Sequence, residues 1–571
     1  MKNIFRNITI YITICLLSVS CSDLDQEIYS ELAVDSYDFT ADDMNKLIAP
    51  AYSSFANVIL GFHPTLTQSI CTDQIAICSN ASGWDDGGVF KRMQLHTWNA
   101  EQSHVAEEWN SYYRAITNVN RVLDQLDQME AISDELRKAY TSELRAVRAY
   151  SYWRLVDQFM EMPLVTSFSD TELPSPVSRQ EVYNFVESEL LEIIPNLSEE
   201  NNPTTYGRFN KWAAHAVLVN LYLNAKVYTG TAQWSKCIEH CDSIINSGKY
   251  SLEPDYSNCF KVENERSSEL ILAVPCDDVI KGTMVHMISL HASIKAKYQM
   301  DDTPWGAGGA KGITQWLDTY DEADKRLAAS WEMGPQFAKD GSPLLGVYEK
   351  QGEPLVFSRA IPNSLHTNEM HGYRVGKYEI IPGTKWILSN DIPVFRYSAI
   401  LLAKAECLLR TGQAGAGTLV TQVRNRAFDN TGDAQVTDAE LAQDSKYRYG
   451  YYEKDYGYDV ALWLESGESE DAKRPYGVPD EVYAAAAGAN VADYFNETAA
   501  DLEDVEFGRM LDEWGWEMSW EFTRRMDLIR FGVFTTKQWA SHKPNGDYRT
   551  TFPIPQSALD ANSNLKQTAG Y

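Results

Sequence analysis

The chain has 571 residues, with 50 Lys and Arg against 80 Asp and Glu, a formal net charge of −30, and 44% apolar residues. That apolar fraction supports a substantial core and excludes disorder on a large scale. The negative balance argues against nucleic acid as a partner, because phosphate contacts need clustered Lys and Arg, and it disfavours a surface that adheres to anionic lipid.

In chain order, residues 1–20 read as a leader and not as fold. Lys2 and Arg6 precede the apolar run Ile8 to Val19, which is too short to span a bilayer. The run closes on Leu17-Ser18-Val19-Ser20-Cys21, which resembles the lipobox of bacterial lipoproteins, where cleavage leaves Cys21 as the lipidated N-terminus. Ser22-Asp23-Leu24-Asp25-Gln26-Glu27 follows, an acidic stretch similar to the export tag that sends lipoproteins of Bacteroidetes-type bacteria to the cell exterior. Later in the chain no stretch approaches eighteen consecutive apolar residues, so lipid and not a spanning helix is expected to hold the body at the membrane.

From residue 103 the dominant period is helical. Trp109, Tyr112, Tyr113, Ile116, Val119, Leu123 and Leu126 recur at steps of three and four, one apolar stripe. Ser133 followed by Asp134 and Glu135 predicts the start of a second helix, running to about 160 and stopped by Pro163. Further helices are predicted at about 179–194, 209–228, 234–246 and 394–411. Their lengths and pairing point to a mostly α fold of stacked helical hairpins of the TPR type, with a few short strands. Trp109, Trp153, Trp212 and Trp234 fall on helical stripes and are expected in the core.

Between about 248 and 392 short apolar runs such as Leu270-Ile271-Leu272-Ala273-Val274 alternate with Gly, Pro and aromatics, which predicts strands and long loops. Residues 428–508 form a second irregular region, acidic and Tyr-rich, with Tyr447, Tyr449, Tyr451, Tyr452, Tyr456 and Tyr458 close together. These tyrosines are open to two readings, a second binding platform or a contact with a partner. The organisation expected is a leader at 1–20, an N-terminal helical region at 21–247, and a C-terminal region at 248–571 that includes the 428–508 segment. Loops on a rigid scaffold are where binding residues concentrate.

Motifs of known chemistry are sparse. His286 and His291 are five apart, which does not suit one helical face, and no HExxH or GxSxG is present. The run Gly306-Ala307-Gly308-Gly309-Ala310-Lys311-Gly312 lacks the P-loop order. Adjacent carboxylates at Asp85-Asp86 cannot flank a glycosidic bond, although they leave room for a Ca2+ ion. After Cys15 leaves with the leader and Cys21 is acylated, seven cysteines remain, so at least one is a free thiol or forms an intermolecular link. Cys237 and Cys241 share the helical spacing of Trp234, Ile238, Ile244 and Ile245, and read as core residues and not as metal ligands.

Several stretches resemble one family. Leu144-Arg145-Ala146-Val147-Arg148-Ala149-Tyr150-Ser151-Tyr152-Trp153, continuing through Leu155-Val156-Asp157 into Met162-Pro163-Leu164, resembles a helix of the SusD-like (SusD/RagB) nutrient-binding lipoproteins. Gly207-Arg208-Phe209-Asn210-Lys211-Trp212, Asp391-Ile392-Pro393-Val394-Phe395-Arg396-Tyr397, Val423-Arg424-Asn425-Arg426-Ala427 and Trp520-Glu521-Phe522-Thr523-Arg524-Arg525-Met526-Asp527 follow in the family's order, closed by Phe552-Pro553-Ile554-Pro555-Gln556. Two departures stand out. Asp512-Glu513-Trp514-Gly515-Trp516 replaces the family's basic run, and the 428–508 segment is unusually long. Arg145, Arg148, Arg396, Glu406, Glu521 and Arg525 are expected to hold helices together through paired charges.

The resemblance implies a non-catalytic protein, without cofactor, that captures oligosaccharides at the outer cell surface. It implies a SusC-like TonB-dependent barrel as the partner that receives them; peptide capture by the same architecture and a surface glycoside hydrolase are the alternatives. Flat aromatic faces pack on the C–H faces of sugar rings, while amides and carboxylates accept hydroxyls. The candidate ligand residues are therefore loop aromatics and their polar neighbours: Trp84 with Asp85, Trp98 with Asn99, Trp305, Trp316 and Tyr320. Trp84 and Trp305 lead, because neighbouring Gly and Asp deny them an apolar face.

Overall fold

The computed structural model describes residues 40–61, 67–80, 86–130, 132–170, 172–305, 309–450, 452, 454–467, 477–494 and 503–571. The leader, Cys21, Trp84, Asp85 and Tyr451 lie outside these. Among the described residues no helix is long and apolar enough to cross a membrane.

The scaffold is built from helices whose apolar stripes have no stable home except on each other. Helix α1 (Ala41–Leu60) packs on α2 (Ser103–Gln128) and α3 (Asp134–Gln158), and α2 packs along α3. The α2 stripe is buried as its spacing requires, with Trp109, Tyr112, Ile116, Val119 and Leu126 inside. Ser133 caps α3 by accepting the Leu136 N–H, with Asp134 and Glu135 in the first turn where the helix dipole favours them. Pro163 does not end α3. The helix stops at Gln158, Phe159 turns extended, and Pro163 sits in a short strand, Glu161–Pro163, paired with Pro176–Ser178. That strand feeds α4 (Arg179–Ile193), opened by a capping box between Ser178 and Glu181.

The predicted helix 209–228 is divided. Asn210 caps α5 (Lys211–Leu223), Asn224 leaves helical geometry, and a short helix Ala225–Thr229 follows. Next, α6 (Trp234–Asn246) lies between α5 and α7 (Tyr397–Arg410). The 394–411 prediction starts too early, because Ile392–Arg396 is a strand paired antiparallel with Leu270–Val274, and helix begins only at Tyr397. The architecture is thus mostly α, stacked helical pairs with short two-stranded sheets between them.

Each of the six charged residues expected to be paired has an opposite charge beside it. Arg145 and Arg148 grip Glu189, Arg525 pairs with Asp157 at 3.0 Å, and Glu406 receives Arg410 and Arg530, both at 2.8 Å. At the centre, the fully buried Arg396 guanidinium meets Glu269 at 2.6 Å, Glu517 at 2.9 Å and Glu521 at 2.6 Å, and Lys377 joins Glu521. Burial alone pushes the Glu269 carboxyl up, but Arg426 and Arg396 outweigh it and bring it down to about 2. The acidic run that departs from the family belongs to this interior. Glu513 pairs with Arg326 and Arg424, and Asp512 accepts from the Ser445 hydroxyl at 2.6 Å and the Lys446 N–H at 2.7 Å.

The Tyr-rich segment also turns inward. Tyr447, Tyr449, Tyr452 and Tyr456 are buried. Tyr447 and Tyr449 stack at 4.5 Å, and their hydroxyls donate to Gln315 and Asp73. These four therefore join the segment to the body of the protein, in place of the platform or partner contact expected of them. All seven described cysteines are unpaired, and Cys237 and Cys241 are core residues.

Candidate functional site: an exposed tryptophan pair

Three loops of the 248–392 region are zipped into one surface. The Asp301 N–H donates to the Thr384 carbonyl at 2.9 Å, Gly383 N–H to Gln299 at 2.9 Å, and Leu388 N–H to Thr283 at 2.9 Å. Gly282 is required where the loops touch, since a Cβ there would stand 2.0 Å from the Leu388 carbonyl oxygen. The Asp278 carboxylate meets the Lys385 ammonium at 3.0 Å across the same seam.

On this surface stand Trp305 and Trp386, 43% and 48% exposed, with ring centroids 5.8 Å apart and planes inclined at 51°. Each is anchored from behind. The Trp305 N–H donates to the Met287 carbonyl, and the buried His286 donates its Nε2–H to the Lys385 carbonyl at 3.0 Å. Burial lowers His286 from the usual imidazole range to about 4, so the ring is neutral at physiological pH and the carbonyl bond fixes its tautomer. Two large apolar faces held half in water on a rigid backing have no packing role that explains their exposure.

The other candidates are placed differently. Trp98 is buried, its Nε1–H donating to the Tyr571 hydroxyl at 2.8 Å and its ring edge-on to Phe552 at 5.2 Å. It anchors the chain's last segment and offers no platform. Its neighbour Asn99 is exposed and closes a turn by accepting the Glu101 N–H. Trp316 is fully buried, with the Arg524 guanidinium 4.7 Å over its ring, and packs so tightly on helix α8 (Gly508–Met518) that a Cβ on Gly515 would stand 2.2 Å from it. Tyr320 is also buried, its hydroxyl bonded to Ser519 at 2.8 Å. Both belong to the core, in place of the loop surface expected of them.

Trp386 was missed by the sequence reading. Trp305 stood out for its neighbouring Gly and Asp, whereas the signal at Trp386 is the turn-forming Pro382-Gly383-Thr384 that precedes it, followed by the apolar Ile387 and Leu388. Among the described residues no group of His, Cys, Asp and Glu is arranged to hold a metal ion.

Comparison with known proteins decides the family. Residues 222–571 match the model of the SusD family, and residues 24–223 match a model described as starch-binding associating with outer membrane. The chain belongs to the SusD family. The starch-binding protein SusD of Bacteroides thetaiotaomicron is 25% identical over 531 residues, covering 86% of this chain and 82% of that protein. A SusD superfamily protein from Parabacteroides distasonis has the same fold, with a TM-score of 0.66 at 18% identity, over 93% of this chain and all of that one. Surface glycan-binding protein A from B. thetaiotaomicron, solved in complex with laminarihexaose, superposes with a TM-score of 0.63 at 16% identity, over 93% of this chain and 99% of that one. The description matched over 24–223, the B. thetaiotaomicron SusD and the laminarihexaose complex are named for starch or glycan binding, and the first of these also names association with the outer membrane.

Proposed function

We propose that this SusD-family protein is a non-catalytic glycan-binding lipoprotein. Anchored through Cys21 on the outer face of the outer membrane, it captures oligosaccharides on Trp305 and Trp386 and passes them to a SusC-like TonB-dependent barrel. The observation that carries this reading is the exposed, inclined indole pair on a rigid backing, in a chain whose matched relatives are named for starch and glycan binding. Planes inclined at 51° suit a glycan chain that turns between successive rings. Trp84 and Asp85, outside the described residues, stay candidate ligand residues on sequence grounds.

The test is native electrophoresis of residues 22–571 through gels cast with different polysaccharides, with the glycan then assayed for new reducing ends. Retardation without new ends is expected. Retardation with new ends would make the protein a hydrolase, and peptide ligands surviving purification with no glycan response would favour peptide capture. In cells, Cys21→Ala is expected to lose palmitate labelling and to leave the membrane fraction.

A further inference from the structure

The charged groups around the indole pair bear on which glycans it takes, an inference that rests on the proposed platform. The three loops that form the seam carry Asp277, Asp278, Asp301 and Asp302 against Lys281 and Lys385, and no arginine. Lys385 is committed to Asp278, and burial lowers Lys281, whose loop closes through the Asp277 N–H donating to its own carbonyl. The Asp277 carboxylate accepts the Val279 and Ile280 N–H groups at 2.7 and 2.6 Å, which hold it below the usual carboxylate range and hence ionised.

Neighbouring elements bring two further ammoniums, each turned to an uncharged oxygen. Lys295 donates to the Asp301 carbonyl at 2.7 Å and Lys339 to the Gln299 side chain at 2.8 Å. Asp301 is exposed and Asp302 half-buried, four and three residues before Trp305 and bonded through their backbones to Thr384, two residues before Trp386. Recognition of a uronate or sulfate ester needs an uncommitted cation, best an arginine fork, facing the sugar. Here the three loops themselves carry four carboxylates against two ammoniums, on a protein whose formal charge is −30.

We infer that the Trp305–Trp386 surface selects uncharged glycans and rejects uronate-containing and sulfated ones, with Asp301 and Asp302 as the specificity-determining residues. Stacking supplies affinity for any sugar with an apolar face, and the carboxylates exclude the anionic members of that set by like-charge repulsion.

The experiment runs the full mature chain against two panels at low salt. Amylopectin, laminarin, dextran and xyloglucan are the neutral panel; polygalacturonate, alginate, chondroitin sulfate and the carboxymethylated form of whichever neutral polymer binds are the anionic one. Retardation by at least one neutral polymer, abolished in Trp386→Ala, and none by the anionic panel is expected. For the carboxymethylated polymer against its parent, the affinity ratio is expected to rise roughly threefold to tenfold in Asp301→Asn/Asp302→Asn, and to rise in the wild type as salt screens the repulsion. An anionic polymer bound as tightly as any neutral one, and lost in Trp386→Ala, would overturn the selectivity while leaving the platform standing. An unchanged ratio in the double variant would also overturn it. Binding that survives Trp305→Ala/Trp386→Ala, or no binding in either panel, would overturn the platform and the selectivity with it.

Discussion

The helical scaffold at 103–246 packs its tryptophans against the core, whereas the looped region at 248–392 divides its own, with Trp316 and Trp331 buried and Trp305 and Trp386 exposed. In the scaffold Trp109, Trp153 and Trp212 are buried because the helical repeat turns them toward neighbouring helices. In the looped region Trp305 and Trp386 stand out of the surface on hydrogen-bonded turns that no periodic element covers. The contrast shows that rigidity and exposure are separable. A loop tied to its neighbours by backbone hydrogen bonds presents an apolar face to water where a helix turns one into the core.

The contrast can be broken most forcefully at the scaffold's central ion network. Glu517→Ala removes one carboxylate from Arg396 and Arg426 and leaves buried charge uncompensated, an expected loss of about 3–5 kcal/mol in denaturant unfolding. Trp98→Ala separates the two uses of tryptophan directly. It is expected to cost about 3–5 kcal/mol of stability through the cavity and the lost anchor of the C-terminal segment, with glycan affinity of the folded fraction within twofold of wild type.

Acid probes the backing of the pair. His286 titrates near 4 in the fold against about 6.5 in the unfolded chain, so the unfolded state binds more protons between those values. Its contribution is complete above about pH 6.5 and is lost as pH falls toward 4. Glu108, which burial raises to about 7, acts in the opposite sense, so the effect is read as a difference. Between pH 7.5 and 4.5 the wild type is expected to lose about 2–3 kcal/mol relative to His286→Gln, which keeps an N–H for the Lys385 carbonyl but cannot titrate. The smallest effect is local: Ser178→Ala, which removes the α4 cap, is expected to cost about 1 kcal/mol and to leave binding unchanged.

Period and family order together made the scaffold legible. The helices from Ser103, Asp134, Arg179 and Trp234 begin where stripe and cap place them, because those signals are local. The helix ends were less legible. Neither the chain's extended turn at Phe159 nor the break at Asn224 has a proline or glycine to announce it. Of the five candidates within the described residues, Asn99 and Trp305 are exposed, whereas Trp98, Trp316 and Tyr320 are buried. Trp98 and Trp316 look like loop residues in sequence, but segments hundreds of positions away, at Tyr571 and Gly515, cover them. Trp305 meets the distant Trp386 and still keeps 43% of its surface exposed. Trp386 has Gly383 before it but the apolar Ile387 and Leu388 after it, so its sequence reads less clearly as surface.

The central claim, that the exposed pair and not the buried tryptophans binds glycan, is most directly tested by titration calorimetry of Trp305→Ala and Trp386→Ala with the polysaccharide that retards the wild type. Each variant is expected to lose at least tenfold in affinity, about 1.4 kcal/mol or more, while its unfolding free energy stays within about 0.5 kcal/mol of wild type. Wild-type affinity in the double variant would contradict the account.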